Sequence, residues 1–408
     1  YKEVREDIDH FFGTAEEIVK GNKSIEIGNV AMDEIVRDCS TPADVINKRA
    51  KFTSILRQYS VLEADPLNYY SPEYYDFNIE SQEIVEKYSL ARENKEKYLK
   101  HLNYTNILRK KERKMRNLEK YKGIIPAFYA CYDEKGEVSP ERVRALTRYF
   151  LAAGVQGLYV NGSSGECIYL SKEERKCILE NVCAEAQGKL RIIAHVACNN
   201  TRDSEELAAH AESLKVDAIA SIPPIYFHLP AYSIAEYWNR ISAAAPNTDF
   251  VIYNIPQLAG VSLTQDLCKE MLKNPRVIGV KNSSMPVQDI QTFKALGGED
   301  FVVFNGPDEQ FVGGRAMGAV GGIGGTYGAM PELFVKMNKL FLENKIMEAR
   351  EIQIKVNEII ALLCSGHGNM YAMIKEVLKN RKGLVIGSVR SPLSPLTEAD
   401  LEIVKKTA

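Results

Sequence analysis

The chain has 408 residues, a formal net charge of −2, a hydrophobic fraction of 45% and a charged fraction of 26%. Such a composition is typical of a globular protein, and the length exceeds that of one average domain. The balanced charge gives no indication of a nucleic-acid partner. We find no apolar run of about 18 residues and no leader-like first segment, so we expect neither membrane spanning nor secretion.

The eight cysteines are scattered along the chain and form no CxxC pair; they are Cys39, Cys131, Cys167, Cys177, Cys183, Cys198, Cys268 and Cys364. A chain of this length can build a core without disulfides, so we interpret them as free thiols in a reducing compartment. The expected location is the cytoplasm.

The first 114 residues are predicted to form a separate, mainly α-helical module. They are rich in Lys, Glu, Tyr and Asn, and a tyrosine-dense segment at 66–77 interrupts the helical spacing with two prolines. Residues 82–116 have the pattern of one long charged helix that ends in the basic run 109–114. We interpret this run as a solvated helix face; contact with an acidic partner is the alternative.

From about residue 121, short β-branched runs alternate with amphipathic helical stretches, which is typical of βαβ units. Eight candidate strands lie at 123–130, 157–162, 191–197, 218–224, 249–256, 277–284, 301–307 and 319–325. Eight parallel strands over roughly two hundred residues predict a (β/α)₈ TIM barrel. The alternative, a doubly wound open sheet, expects a Gly-rich turn after its first strand, and residues 128–132 (FYACY) contain none.

The carboxyl ends of barrel strands carry the active site, and Lys281 lies at such an end after the apolar run 277–280. A lysine inside a barrel strand is removed from water, which lowers its pKa. A decrease of ~3 units, equivalent to roughly 4 kcal/mol, makes the amine a usable nucleophile for a Schiff base. A structural lysine paired with a buried carboxylate is the alternative; the polar residues at neighbouring strand ends favour the nucleophile.

Two further groups of hydroxyls lie at predicted strand ends. Ser163 and Ser164 stand between glycines just after the second strand, where hydroxyls and backbone N–H groups can bind one anion such as a carboxylate. An ordinary βα turn is the alternative. Tyr253 on the fifth strand can point inward beside Lys281 and move protons, whereas a simple core tyrosine is the alternative there.

Two adjacent carboxylates, Asp308 and Glu309, follow Gly306 and Pro307 at the end of the seventh predicted strand. Carboxylates accept hydrogen bonds from hydroxyls, so this pair suits a polyhydroxylated ligand better than an anionic one. A metal site is the alternative, but no His or Cys has ligand spacing around the pair. We expect no metal and no organic cofactor.

Four segments carry a resemblance to a known family: NGSSGE (161–166), YNIP (253–256), GVKNSS (279–284) and GGIGGTYG (321–328). In this order they resemble the pyruvate-dependent class I aldolases, the superfamily that contains the dihydrodipicolinate synthases and the N-acetylneuraminate lyases. The resemblance extends from about residue 121 to residue 408 and leaves the first 114 residues uncovered.

The resemblance implies that Lys281 forms the Schiff base with a 2-oxo acid and that Tyr253 relays protons. It also implies that Ser163 and Ser164 bind the substrate carboxylate. Tyr226, a further expected binding residue, matches a tyrosine that lies close to a neighbouring subunit in this superfamily. A homotetramer built from tight dimers is therefore expected.

Leu258 distinguishes two branches of the superfamily. The synthases place an arginine shortly after YNxP for the carboxylate of their second substrate, and a leucine cannot make that bidentate contact. The lyases resemble YNIPxLxGV followed by NGxDE, and both patterns are present. The resemblance thus implies reversible cleavage of N-acetylneuraminate to N-acetylmannosamine and pyruvate. Gly306, Asp308 and Glu309 would bind the glycerol-like chain of the open sugar acid, with Ser283 nearby.

Two residues depart from the lyase pattern. Gly325 stands where the lyases usually have a serine, and Pro307 can tilt the carboxylates that follow it. Two alternatives therefore stay open. One is another pyruvate-dependent aldolase, acting on a 2-oxo-3-deoxy sugar acid or forming dihydrodipicolinate. The other is a barrel that serves as an oligomeric scaffold for a partner-binding N-terminal module.

The domain boundaries follow from the same resemblance. Lyases of this family begin shortly before the first strand, which is where Met115 falls. We therefore expect a fused module at 1–114 whose partner the sequence does not identify, a barrel at 115–330, and C-terminal helices at 331–408 packed on the barrel.

Overall fold

The computed structural model describes residues 117–407, and these contain a parallel eight-stranded sheet. The strands are β1 (Ile124–Pro126), β2 (Gly157–Val160), β3 (Arg191–His195), β4 (Ala218–Ser221), β5 (Asp249–Asn254), β6 (Val277–Asn282), β7 (Val302–Asn305) and β8 (Gly321–Gly324). Each strand from β2 to β7 pairs with the next, and β8 pairs with β1. A bridge between Ala127 and Tyr159 joins β1 to β2 and closes the ring. The predicted (β/α)₈ barrel is confirmed.

Helices follow the strands and continue after the last one. They are α1 (Pro140–Ala153), α2 (Lys172–Ala186), α3 (Thr201–Ser213), α4 (Ala231–Ala244), α5 (Pro256–Ala259), α6 (Gln265–Met271), α7 (Gln288–Gly297), α8 (Phe311–Ala316), α9 (Pro331–Leu342), α10 (Ile346–Cys364), α11 (Met370–Lys382) and α12 (Glu398–Thr407). Along residues 117–407, no helix is long and apolar enough to cross a membrane.

The sequence explains where these helices begin and end. Ser139 caps α1 by accepting a hydrogen bond from the Arg142 amide, and Pro140 occupies the first turn, where its missing N–H is not needed. Ser171 and Glu174 form a reciprocal capping box at the start of α2. Gly154 ends α1 in the left-handed conformation at φ 70°, which glycine adopts without strain.

The strands lie in the predicted places but are shorter than predicted. The seventh was expected at 301–307 and spans Val302–Asn305; the eighth was expected at 319–325 and spans Gly321–Gly324. Pairing stops at these strand ends because the chain turns there into the βα loops that carry the polar residues. The predictions for the N-terminal module fall outside the described residues.

The amino-terminal end of the barrel is closed by a short 3₁₀ helix, Leu118–Tyr121. Tyr121 is fully buried, and its hydroxyl lies 2.6 Å from the carbonyl oxygen of Asp217 and 2.8 Å from Asp249 Oδ2. Lys120 Nζ lies 3.3 Å from Asp217 Oδ1. With this end filled, the interior is approached from the carboxyl ends of the strands.

The last four helices pack on the barrel and on one another. Helix α9 contacts β1 and α1, as expected for a helix that follows the eighth strand. Helix α10 packs against α9 and against the 3₁₀ turn Asp308–Gln310, while α12 contacts both α10 and α11. The C-terminal helices therefore reach the rim where the polar strand ends are found.

Candidate active site

Lys281 lies inside the barrel near the carboxyl end of β6. Its register partner across the ladder is Tyr253 on β5, so the two side chains leave neighbouring strands on the same face of the sheet. Lys281 is only 4% exposed, and its Nζ lies 3.8 Å from the centroid of the Tyr253 ring and 4.2 Å from that of the Tyr159 ring. The amine is held between two aromatic faces.

Burial lowers the pKa of Lys281 from its usual 10.5 to about 7. The charges of Asp308 and Cys167 oppose this shift. The two aromatic faces also favour the ammonium form, yet desolvation outweighs them. A substantial fraction of Lys281 is therefore neutral at physiological pH, which is the form that attacks a ketone.

Tyr253 has two hydroxyl neighbours at the same rim. Ser163 after β2 and Ser283 after β6 both lie close enough to its hydroxyl to act on the pKa of the phenol. Burial raises the pKa of Tyr253 to about 12, and the two serines oppose that rise because they can donate hydrogen bonds to a phenolate. The phenol is thus protonated at rest but has two donors in place should it ionise.

The NGSSGE segment turns sharply between two residues with positive φ, Asn161 at 62° and Glu166 at 55°. Its glycines sit where no side chain fits. A Cβ at Gly162 would lie 2.6 Å from the Tyr159 ring, and one at Gly165 would lie 2.9 Å from the Phe128 carbonyl oxygen. This close packing of Gly162 and Gly165 holds Ser163 and Ser164, which lie between them, at the carboxyl end of β2.

The two serines contact different partners. While Ser163 lies near Tyr253, Ser164 is buried and donates a hydrogen bond to the hydroxyl of Tyr371, at 3.0 Å. Tyr371 belongs to α11, outside the barrel strands. Burial raises the pKa of Tyr371, so its hydroxyl keeps its hydrogen at neutral pH.

Asp308 is buried at the start of the 3₁₀ turn after β7. Its Oδ2 accepts hydrogen bonds from the Thr326 amide and the Thr326 hydroxyl, both at 2.6 Å, whereas its buried Oδ1 has no partner within residues 117–407. Burial raises the pKa of Asp308 to about 7. One carboxylate oxygen is therefore engaged by Thr326 and the other is unsatisfied.

The remaining predicted site residues differ in how closely they approach Lys281 and Tyr253; they are Gly306, Ser283, Glu309 and Tyr226. Gly306 packs against Ser283, since a Cβ there would lie 2.0 Å from Ser283 Oγ. Glu309 is exposed and follows Asp308 in the same turn. Tyr226 is 86% exposed with φ 85°, and its ring contacts Phe227 at 5.0 Å between centroids. The structure thus brings Lys281 together with residues from four strand ends but leaves Tyr226 on the surface.

Three residues of this centre were missed by the sequence analysis: Tyr159, Thr326 and Tyr371. Tyr159 lies in the LYV run of β2, where the alternation of strand side chains could have indicated an inward ring. Thr326 lies within the GGIGGTYG segment but was not singled out. Tyr371 lies 207 residues from Ser164 in sequence, and no local pattern indicates their contact. Across residues 117–407, no cluster of three His, Cys, Asp or Glu side chains has the geometry to hold a metal ion.

Comparison with known protein families identifies the family to which this barrel belongs. The family model described as "Dihydrodipicolinate synthetase family" matches residues 120–408, which is more than half of the chain. The chain belongs to the dihydrodipicolinate synthetase family. The match begins within the 3₁₀ helix that closes the barrel, so residues 1–119 lie outside it.

Several proteins that are similar to this chain carry the name of a lyase or an aldolase. An N-acetylneuraminate lyase of Mediterraneibacter gnavus is 66% identical over 302 residues, covering 74% of this chain and 96% of that protein. An N-acetylneuraminate lyase of Citrobacter koseri is 33% identical over 287 residues, covering 70% of this chain and 96% of that protein. A solved catalytic-lysine mutant of the Ruminococcus gnavus sialic acid aldolase is 68% identical with a TM-score of 0.71, covering 72% of this chain and 96% of that one.

Proposed function

We propose that this protein is a class I aldehyde-lyase that reversibly cleaves N-acetylneuraminate to N-acetylmannosamine and pyruvate. The observation that carries the proposal is the burial of Lys281 between Tyr159 and Tyr253, with its pKa lowered to about 7. The 66% identity to an N-acetylneuraminate lyase supports the choice of substrate. No metal or organic cofactor enters the proposed reaction.

The first chemical step is imine formation at Lys281. The neutral amine attacks the C2 ketone of the open-chain sugar acid and gives a carbinolamine. Tyr253, protonated at rest, donates its hydrogen to the departing C2 hydroxyl, which leaves as water. The products are a protonated imine on Lys281 and a Tyr253 phenolate, which the hydroxyls of Ser163 and Ser283 stabilise by donating hydrogen bonds.

Cleavage uses the positive charge of the protonated imine and the negative charge of the Tyr253 phenolate. The Tyr253 phenolate takes the hydrogen of the C4 hydroxyl, the C3–C4 bond breaks, and N-acetylmannosamine leaves as the aldehyde. The electron pair of the broken bond moves into the protonated imine and forms a neutral enamine on Lys281. Protonation of that enamine at C3 and hydrolysis of the imine release pyruvate and restore the free amine.

The remaining residues of the rim are assigned to substrate binding. Ser163 binds the carboxylate through its backbone N–H, and Ser164 binds it through its backbone N–H and its hydroxyl, which suits their place after β2. The glycerol-like chain of the sugar is assigned to the segment Gly306, Asp308 and Glu309, with Ser283 beside it. Asp308 enters this role with one oxygen already bonded to Thr326, so it offers only Oδ1 to a sugar hydroxyl.

A substrate panel tests the proposal. Pyruvate release is measured from N-acetylneuraminate and from a 2-oxo-3-deoxy sugar acid, and condensation of pyruvate with aspartate semialdehyde is assayed alongside. We expect N-acetylneuraminate to have the highest kcat/KM, because Leu258 cannot bind the carboxylate of a second acidic substrate. Preference for either other substrate would reject the lyase assignment while leaving the aldolase chemistry intact.

The assembly and location are proposals of the same kind. A homotetramer built from tight dimers accounts for Tyr226, whose ring is 86% exposed beside the exposed ring of Phe227 at the barrel rim. Sedimentation velocity is expected to give four chains per particle, and a monomer at micromolar concentration would reject this. The seven described cysteines are free thiols, which suits the proposed cytoplasmic location.

A further inference from the structure

Helix α11 holds the segment 163–166 at two points one helical turn apart. Tyr371 accepts the hydrogen bond from Ser164 Oγ at 3.0 Å, and Lys375 Nζ lies 2.8 Å from Glu166 Oε1. Residues four apart on a helix share one face, so a single face of α11 makes both contacts. The segment is therefore fixed by an element that lies beyond the eighth strand.

The Glu166 contact is completely buried. Its side chain is 0% exposed and that of Lys375 is 1% exposed. Glu166 Oε2 lies 3.1 Å from the Tyr132 hydroxyl and accepts a hydrogen bond from the Arg390 amide at 2.8 Å. Since both carboxylate oxygens are occupied within the protein, Glu166 anchors the segment and leaves substrate contact to the serines.

Gly325 keeps space open around the Ser164–Tyr371 pair. A Cβ at this position would lie 3.0 Å from Ser164 Oγ and 3.2 Å from the Tyr371 hydroxyl oxygen. The backbone of Gly325 is itself held, because Tyr129 donates a hydrogen bond to its carbonyl oxygen at 2.6 Å. A side chain at 325 would thus press against both hydroxyls at once.

We propose that Tyr371 is a positioning residue that aims the Ser164 hydroxyl at the carboxylate of the 2-oxo acid, an inference that rests on the proposed function. The pair has two hydroxyl hydrogens, of which one closes the internal hydrogen bond and the other remains for a ligand. When a carboxylate binds, Tyr371 donates to Ser164 Oγ and Ser164 donates to the carboxylate. Without the Tyr371 hydroxyl, Ser164 loses the partner that fixes its orientation.

The test is a titration of imine formation with pyruvate, trapped by borohydride and read by intact mass. Pyruvate has the carboxylate but no sugar chain, so it isolates the contact in question. In Tyr371→Phe we expect the half-saturating pyruvate concentration to rise by up to about tenfold, the upper range for loss of one hydrogen bond between neutral groups, with the extent of trapping at saturation unchanged. The KM for N-acetylmannosamine in the synthesis direction should stay as in the unaltered protein.

Tyr149→Phe is the matched control. Its hydroxyl donates a hydrogen bond to the Gly328 carbonyl oxygen at 3.2 Å, and it is not part of the catalytic or binding machinery. This variant should titrate like the unaltered protein. An unchanged half-saturating pyruvate concentration in Tyr371→Phe, or an effect confined to N-acetylmannosamine, would overturn the proposal. An unaltered protein that traps no pyruvate would instead reject the proposed function.

Gly325→Ala supplies an independent variant. Its added methyl group should displace the Ser164–Tyr371 pair and raise the half-saturating pyruvate concentration. In a Tyr371→Phe background the same change should add less than it does alone, because the Tyr371 hydroxyl is already gone and only Ser164 Oγ remains to be displaced. Additive effects of the two changes would count against the proposed coupling. Thermal unfolding of each variant separates this result from a general loss of folded protein.

Discussion

Lys281 Nζ lies 3.8 Å from the centroid of the Tyr253 ring, and the two residues are register partners on adjacent parallel strands. Their proximity follows from strand register, because partners in a parallel ladder point to the same face. The proposed nucleophile and proton relay are therefore held by paired strands of the barrel. Loops are needed only for the substrate-binding groups around them.

Replacing Lys281 with Met should stabilise the protein while abolishing the imine. The lysine pKa falls from 10.5 in the unfolded chain to about 7 in the folded one, so the unfolded chain binds the proton more tightly. Lys281→Met should raise the free energy of unfolding at pH 7 by up to about 4 kcal/mol. This gain should shrink as the pH rises from 7 towards 10.5, where the unfolded lysine also loses its proton. Urea unfolding at several pH values measures it, and a variant less stable than the parent at pH 7 would contradict the argument.

Imine formation at low pyruvate concentration should accelerate as the pH rises through about 7, because only neutral Lys281 attacks. The negative charge of Asp308 raises the pKa of Lys281, so Asp308→Asn should move the midpoint of this profile to lower pH. Glu309→Gln is the control, since its exposed side chain should leave the pyruvate profile in place. A midpoint that moves upward in Asp308→Asn would show that the charge acts on another group.

Breaking the buried ion pair between Glu166 and Lys375 should destabilise the protein far more than breaking an exposed ion pair on α11. Lys375→Met leaves an unpaired carboxylate in the interior and should cost about 3–5 kcal/mol of stability. Lys379→Met breaks an exposed pair with Glu376 and should cost less than about 1 kcal/mol. In Glu166→Gln/Lys375→Met both charges are gone, so much of the loss should be recovered. Chemical denaturation measures all three, and equal losses in the two single variants would contradict this account.

Two truncations test whether the barrel functions without the N-terminal region. Removal of residues 1–116 should leave an active barrel, because the shortened chain still contains the 3₁₀ helix Leu118–Tyr121 that closes the amino-terminal end of the barrel. Removal of residues 1–121 deletes the fully buried ring of Tyr121 and should cost about 3–5 kcal/mol of stability. Loss of N-acetylneuraminate cleavage in the shorter deletion would refute the proposed fusion of two separate modules.

Much of the barrel could be predicted from sequence because its signals are local. The alternation of β-branched runs with amphipathic helices indicated eight strands, and the strand ends pointed to Lys281, Tyr253 and the 163–164 serines. Strand lengths were overestimated because a sequence does not show where ladder hydrogen bonds give way to loops. The 319–325 prediction, for example, included residues on both sides of Gly321–Gly324.

The parts that could not be predicted depend on contacts between distant segments. Tyr371 reaches Ser164 across 207 residues, and Lys375 reaches Glu166 across 209. The double hydrogen bond from Thr326 to Asp308 likewise depends on how β7 and β8 end side by side. Such contacts are determined by packing of the C-terminal helices and strand ends, for which the sequence offers no periodic signal.

Reduction of the protein with borohydride in the presence of pyruvate, followed by intact mass and peptide mapping, shows whether Lys281 forms a Schiff base. We expect one pyruvate-derived adduct per chain, located on Lys281 and absent from Lys281→Met. Tyr253→Phe should still form the adduct, though more slowly, while losing N-acetylneuraminate cleavage about 10²–10⁴-fold. A folded protein that forms no adduct, or an adduct on another lysine, would contradict the assignment of Lys281 as the Schiff-base residue.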